Sequence, residues 1–156
     1  MIPVHVKEIA FDPSMNPVLL LADEPEAKIL PIWIGPFEAH AIAMALEGYK
    51  AERPLTHDLL QACCERLGVQ ITRAVISDVR DETFIAEVHL TGTNVSVVLD
   101  ARPSDAVALA VRNLAPIFIT DAVASHTLRI EDIVEQSRTE DDIPFNHLGV
   151  TKRTIH

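Results

Sequence analysis

Apolar and polar positions alternate along much of this chain, and twice the alternation gives way to an alanine-rich run. The order of these blocks predicts the fold. Val4, Val6, Ile9 and Phe11 keep a period of two with a slip at Lys7–Glu8, which predicts an irregular strand over 4–11. The Pro- and Asn-rich DPSMNP is a turn. VLLLAD predicts a short buried strand. KILPIWIG predicts another, where Pro31 marks an edge or a bulge because proline has no N–H to give to a ladder. Pro36–Leu46 predicts a helix, with proline at the first helical position and Glu38 in the first turn, where the helix dipole favours an acid. Its body is apolar on every side, which predicts burial all round. THDLLQACCER predicts a second helix, with Thr56 as N-cap, a Leu55–Leu60 staple and Gly68 as the stop.

The second half repeats the pattern. VQITRAVISDV and TFIAEVHL form a hairpin, and VSVVLDA adds a third strand. A helix without a polar face opens at Arg102–Pro103 and ends near Asn113. APIFIT is a short strand, and IEDIVEQ predicts a last short helix. Residues 137–156 lack periodicity and read as an irregular or mobile tail behind a domain spanning 1–136. Pro36 matches Pro103 and Glu38 matches Asp105. The expected fold is therefore α+β: a mixed, mostly antiparallel sheet built from two related β-β-β-α halves, with helices packed on it. A duplicated unit of this kind brings corresponding residues together across a pseudo-twofold axis only if the halves assemble that way.

A length of 156 residues suits a single domain. The net charge of −10 repels polyanions at long range, so work on nucleic acid would need a local basic patch or a metal ion. Cys63 and Cys64 are adjacent and read as reduced thiols on a helix, not as a disulfide framework. The N-terminal MIPVHVKEIAFD lacks the basic-then-apolar order of a signal peptide. No charge-free apolar stretch reaches the ~18 residues of a membrane span. The expectation is a soluble, cytoplasmic protein without a membrane partner. Exposed alanine-rich helices and edge strands in so small a unit predict a homo-oligomer, with a dimer favoured.

Phosphodiester hydrolysis needs an activated water, a stabiliser of phosphate charge and help for the leaving oxygen. Many nucleases supply these with Mg²⁺ or Mn²⁺ held by carboxylates. Asp105, Glu38 and Asp58 are candidate metal ligands and catalytic acids, with Asp100 nearby in sequence and His57 as base or ligand. Arg102 suits a phosphate because its planar fork matches the oxygens. Ser104 suits a phosphate oxygen or the support of a ligand, and Lys50 and Arg53 form a basic rim before His57–Asp58. Plainer roles compete. An acid in a first helical turn is stabilising by itself, by about 0.3–1 kcal/mol. Asp105 also suits an ion pair with Arg102. Trp33 reads as core, not as a base-stacking platform, and His40 as a core or interface histidine. There is no zinc-type histidine spacing, Walker loop, Gly-x-Gly-x-x-Gly or Gly-x-Ser-x-Gly.

The segments VLLLAD, ILPIWIGPFEAHAIAMALEG, RPLTHDLL and LDARPSDAVALAVRNLAPIFI, in this order and spacing across residues 4–124, resemble the bifunctional nuclease domain family. The resemblance implies a nuclease acting on both DNA and RNA, and so nucleic acid as partner. Many bacterial members also carry a C-terminal helical UvrB/UvrC-type interaction motif, which DDIPFNHLGVTKRTIH does not resemble. The competing expectation is a non-enzymatic regulatory or interaction domain that binds a protein or an anionic ligand. It rests on the acidity and on an aromatic content of only 4%.

Overall fold

In a computed structural model describing residues 1–132, strands β1 (Ile2–Phe11), β2 (Pro17–Asp23) and β3 (Lys28–Trp33) form an antiparallel meander. Helices α1 (Pro36–Leu46) and α2 (Thr56–Arg66) follow. A second meander of β4 (Val69–Arg80), β5 (Thr83–Gly92) and β6 (Val95–Ala101) leads into α3 (Pro103–Asn113) and β7 (Ile117–Ile119). α4 (Asp121–Ala124) and β8 (Leu128–Arg129) complete the itinerary, and neither is foreshadowed by periodicity. Helical backbone begins again at Ile130, as expected. The rest of that helix and the tail at 137–156 lie outside the described residues.

All eight strands join one sheet in the order β6-β5-β4-β7-β1-β2-β3-β8. Both meanders run outward from the centre, with β7 between β1 and β4. β7 is antiparallel to β1 and parallel to β4, so the innermost strands of the two halves run in opposite senses. That is the arrangement of a twofold axis through the sheet, and the duplicated β-β-β-α architecture follows from it. The fold is α+β, with a mixed and mostly antiparallel sheet.

Local chemistry explains the strand details. The slip at Lys7 is a real irregularity, since pairing of β1 with β2 shifts between Val6 and Glu8. Pro31 pairs with Leu20 of β2, while β8 reaches β3 only at Lys28 and Ile29. The missing N–H at Pro31 therefore sits on the stretch of β3 that β8 leaves free. β2 is buried on both faces. Leu19 and Leu21 join the main core beneath the helices, and Val18 and Leu20 join a smaller cluster with Ala10 and Ile29 on the opposite face.

The two alanine-rich helices part company. α3 is buried along Pro103–Ser104 and Ala106–Ala110, as its sequence predicts. α1 is not enclosed: only Ala39 and Ile42 are fully buried, and Phe37 is 88% exposed. α3 packs against α1, α2, β4 and β5 and so lies at the centre of the helical layer, whereas α1 lies at its border. α2 also starts one residue earlier than expected. Leu55, not Thr56, takes the N-cap position, and its backbone N–H donates to Asp58 Oδ2 at 2.9 Å, so the acid supplies the reciprocal bond without a capping hydroxyl. Leu55 and Leu60 form no buried staple; both stay exposed and line a cleft.

Candidate functional site

The pseudo-twofold brings the first turns of α1 and α3 together. Glu38 and Asp105 are corresponding residues of the two halves, and both hold one guanidinium. Arg102 donates from Nε to Asp105 Oδ2 at 2.7 Å and from Nη1 to Glu38 Oε1 at 2.9 Å. The position corresponding to Arg102 in the first half is Gly35, which makes the site asymmetric. A Cβ at Gly35 would run into the Glu38 carboxylate, so glycine gives that carboxylate its room.

α2 adds the fourth member. His57, in its first turn, bonds through Nε2 to Asp105 Oδ1 at 3.0 Å. An ionised carboxylate only accepts, so Nε2 carries the proton and donates, and neutral His57 keeps a lone pair on Nδ1. Burial pushes the Asp105 carboxyl up, but the hydrogen bonds and charges of Arg102 and His57 outweigh it and hold the group below the ordinary aspartate range. The same bonds, Asp105 first and then Glu38, raise Arg102 further above its already high value.

This tetrad lines an open cleft of about 630 Å³ between the helices and the outer strands. The rest of the wall is mainly apolar, with Phe37, Leu60, Ile71, Val88 and Leu99 among its residues. A second groove, of about 500 Å³, shares Arg102 and includes Trp33, Phe84 and Ser104. Arg102, with its side chain 64% exposed, borders both.

Several sequence expectations change here. Trp33 is 51% exposed at the end of β3, and its indole N–H donates to Asp12 Oδ2 at 3.2 Å; it is not a core residue. His40 is exposed and lines the cleft. Asp100 lines it too, from the end of β6. Asp58 does not reach the tetrad. Its Oδ1 accepts from Arg112 Nε at 3.0 Å, and the Leu55 N–H, followed by Arg112, keeps its carboxyl below the usual range against the pull of burial. Arg112 is correspondingly unavailable to a ligand. Its side chain is 8% exposed and Nη1 also donates to the Ala41 and Ala108 carbonyls, tying α3 to α1 and α2. Lys50 and Arg53 are exposed on the α1–α2 loop and line neither groove. Ser104 is buried in the wall of the second groove.

The proposed ligand set of Asp105, Glu38 and Asp58 therefore does not converge. Arg102 fills the place between the first two, and Arg112 engages the third. Among the described residues, no three His, Cys, Asp or Glu side chains form a group able to hold a metal ion. Both cysteines are free, and burial pushes the Cys64 thiol up, which leaves it protonated and inert. Gly35, Phe37 and the apolar cleft wall were not legible as site features, because no local pattern says which distant residues they will face. Among the described residues no helix is long and apolar enough to cross a membrane.

Two curated proteins of Mycobacterium tuberculosis, from different strains, are similar to this chain: "Uncharacterized protein MT1877" and "Uncharacterized protein Rv1829". Each is 40% identical over 128 residues, a span covering 81% of this chain and 76% of theirs. The bifunctional nuclease domain model matches residues 19–131, which include all of α1, α2 and α3 and every member of the tetrad. The chain thus belongs to the bifunctional nuclease domain family.

Proposed function

We propose that this protein is a nuclease hydrolysing phosphodiester bonds of DNA and RNA. One observation carries the reading: a histidine fixed by a carboxylate stands beside an arginine pinned between two acids in the wall of a cleft. Asp105 holds His57 through Nε2–H, so Nδ1 is the atom to take a proton from an attacking water; the ester P–O bond breaks as the new P–O bond forms, and the leaving oxygen takes its proton from solvent. The edge of the Arg102 guanidinium that Glu38 and Asp105 leave free faces phosphate oxygens and offsets the charge that develops on them. Exposed Trp33 in the adjoining groove offers a ring on which a base stacks. Family membership supports the same reading. Asp58 is engaged by Arg112 and stands apart from Asp105 and Glu38, so the three carboxylates do not form one Mg²⁺ or Mn²⁺ site as arranged, and the roles given above are those of His57, Asp105 and Arg102.

The test is cleavage of labelled single-stranded DNA and RNA by highly purified protein, with Mg²⁺, Mn²⁺ or excess chelator, beside folded Asp105→Ala and His57→Ala variants. Loss of a general base and of its orienting acid lowers the rate by about 10²–10⁴-fold. Cleavage that survives chelator and falls in both variants supports the assignment. Cleavage unchanged in both removes it. A metal requirement with both variants inactive would keep the nuclease but replace the metal-free steps.

A second reading is favoured by the largely apolar wall of the cleft and the net charge of −10: a non-enzymatic domain that binds a protein or an anionic ligand. Trp33 is the sole tryptophan, so its fluorescence reports occupancy of the groove beside Arg102 directly. No cleavage under any condition, together with no fluorescence change on adding oligonucleotide, favours this reading over the first.

A further inference from the structure

The two edges of the sheet are managed very differently. On one side the last strand, β8, has two residues. On the other, β6 has seven, in continuous register with β5 and without a bulge. β6 contains no lysine, arginine or proline, and its one charge is Asp100. Val95, Val97, Val98 and Leu99 are each between 38% and 52% exposed. They lie on both faces of the strand, since side chains alternate. Soluble proteins guard long edges with charge, proline, bulges or short strands, because unpaired N–H and C=O groups recruit another strand. Apart from the single carboxylate of Asp100, β6 has none of these protections, and among the described residues no strand pairs with its outer edge.

We infer that β6 is the docking edge for a second copy of this chain. The two β6 strands pair antiparallel about a twofold axis at Val98 and extend the sheet from one copy into the next. The register follows from the sequence of the strand. With Val98 opposite itself, Val97 meets the partner's Leu99, Val95 meets the partner's Ala101, and Ser96 meets the partner's Asp100. Apolar residues then face apolar ones, and the one carboxylate faces a hydroxyl, not its own copy. Centring on Val97 or Leu99 instead sets Ser96 or Asp100 against Val98. A half-step turns each apolar face onto the other.

A second copy suits this edge better than a foreign strand because the pairing closes. An isologous twofold uses both long edges at once and, among the described residues, leaves the two short β8 strands outside. The axis is perpendicular to the sheet, so both helical layers lie on the same face. A stable interface takes about 800 Å² from each partner, more than one seven-residue strand supplies. The exposed Phe37, Leu55 and Leu60 border the same cleft as Leu99 and so extend the apolar surface beyond the strand itself. In this register the partner's Asn94 falls opposite Arg102, so the second copy walls the outer side of the tetrad.

The test uses the full chain and needs no activity. Light scattering after gel filtration is expected to give a dimer for the wild type and a monomer for Val98→Lys, which sets two ammonium groups face to face at the axis. A second measurement separates loss of pairing from a folding defect in Val98→Lys. Val98→Cys, in a Cys63→Ser, Cys64→Ala background, is expected to form a covalent dimer on mild oxidation, and Val95→Cys in the same background is not. A wild-type monomer at tens of micromolar overturns the proposal. So does a dimer that yields no cross-link at position 98, and so does cross-linking at 95 in preference to 98.

Discussion

Arg102 is the residue on which the site turns, and its neighbours show how charge is kept in order around it. Two acids hold it in place, and Asp105 is shared with His57. A few residues on, Arg112 does the opposite job in a dry setting, spending its donors on Asp58 and on two helix carbonyls. A hydrogen bond to a charged group contributes about 1.5–3 kcal/mol. Arg112→Met keeps the buried stem but loses these bonds. It is expected to cost about 2 kcal/mol, measured as a lower urea midpoint at unchanged slope. Arg102→Met, whose side chain is mostly exposed, is expected to cost much less. The sequence offers Arg102 for a phosphate and gives Arg112 no role beyond a positive charge. Only their burial tells the strut from the site.

At the scale of elements, α3 is the centre of the helical layer and carries a strained end. Leu114 closes it in the left-handed conformation, with φ 52°, and the residue is 93% exposed. Glycine is the usual residue there, since an L side chain in this region costs roughly 1–2 kcal/mol. Leu114→Gly is therefore expected to stabilise by about 1 kcal/mol and raise Tm by about 3 °C, read by calorimetry. An unchanged or lower Tm would mean that the leucine makes a stabilising contact that outweighs the strain. α1 teaches a related lesson. Alanine-rich composition predicted burial for both helices, yet composition does not say which helix stands at the border of a layer, and α1 does.

For the molecule as a whole, acid is the informative stress. Asp105 and Asp58 both lie below their ordinary range when folded. A depressed folded pKa stabilises at pH above the unfolded value, near 4, and that contribution is lost as pH falls through the folded value. Stability is thus expected to drop below about pH 4. Asp58→Asn should begin less stable at neutral pH but lose less on acidification, as urea midpoints across the pH series would show. A parallel loss in both proteins would remove Asp58 from the acid response.

The sequence by itself determined the strands and helices other than α4 and β8 to within a residue or two, the irregularity at Lys7 and the edge position of Pro31. It also determined the repeat of two β-β-β-α halves and the resemblance to the family. These depend on period, on proline and glycine stereochemistry and on local end effects, all of which act between near neighbours in the chain. Only the tertiary structure decided that Glu38 and Asp105 share Arg102, that His57 joins them, and that Asp58, Lys50 and Arg53 do not. It alone turned Trp33 outward and left β6 as the long outer strand of the sheet among the described residues. Those outcomes depend on the twofold stacking of the halves around β7, which couples residues more than 60 positions apart, and no local pattern encodes which of two similar acids a distant arginine will reach.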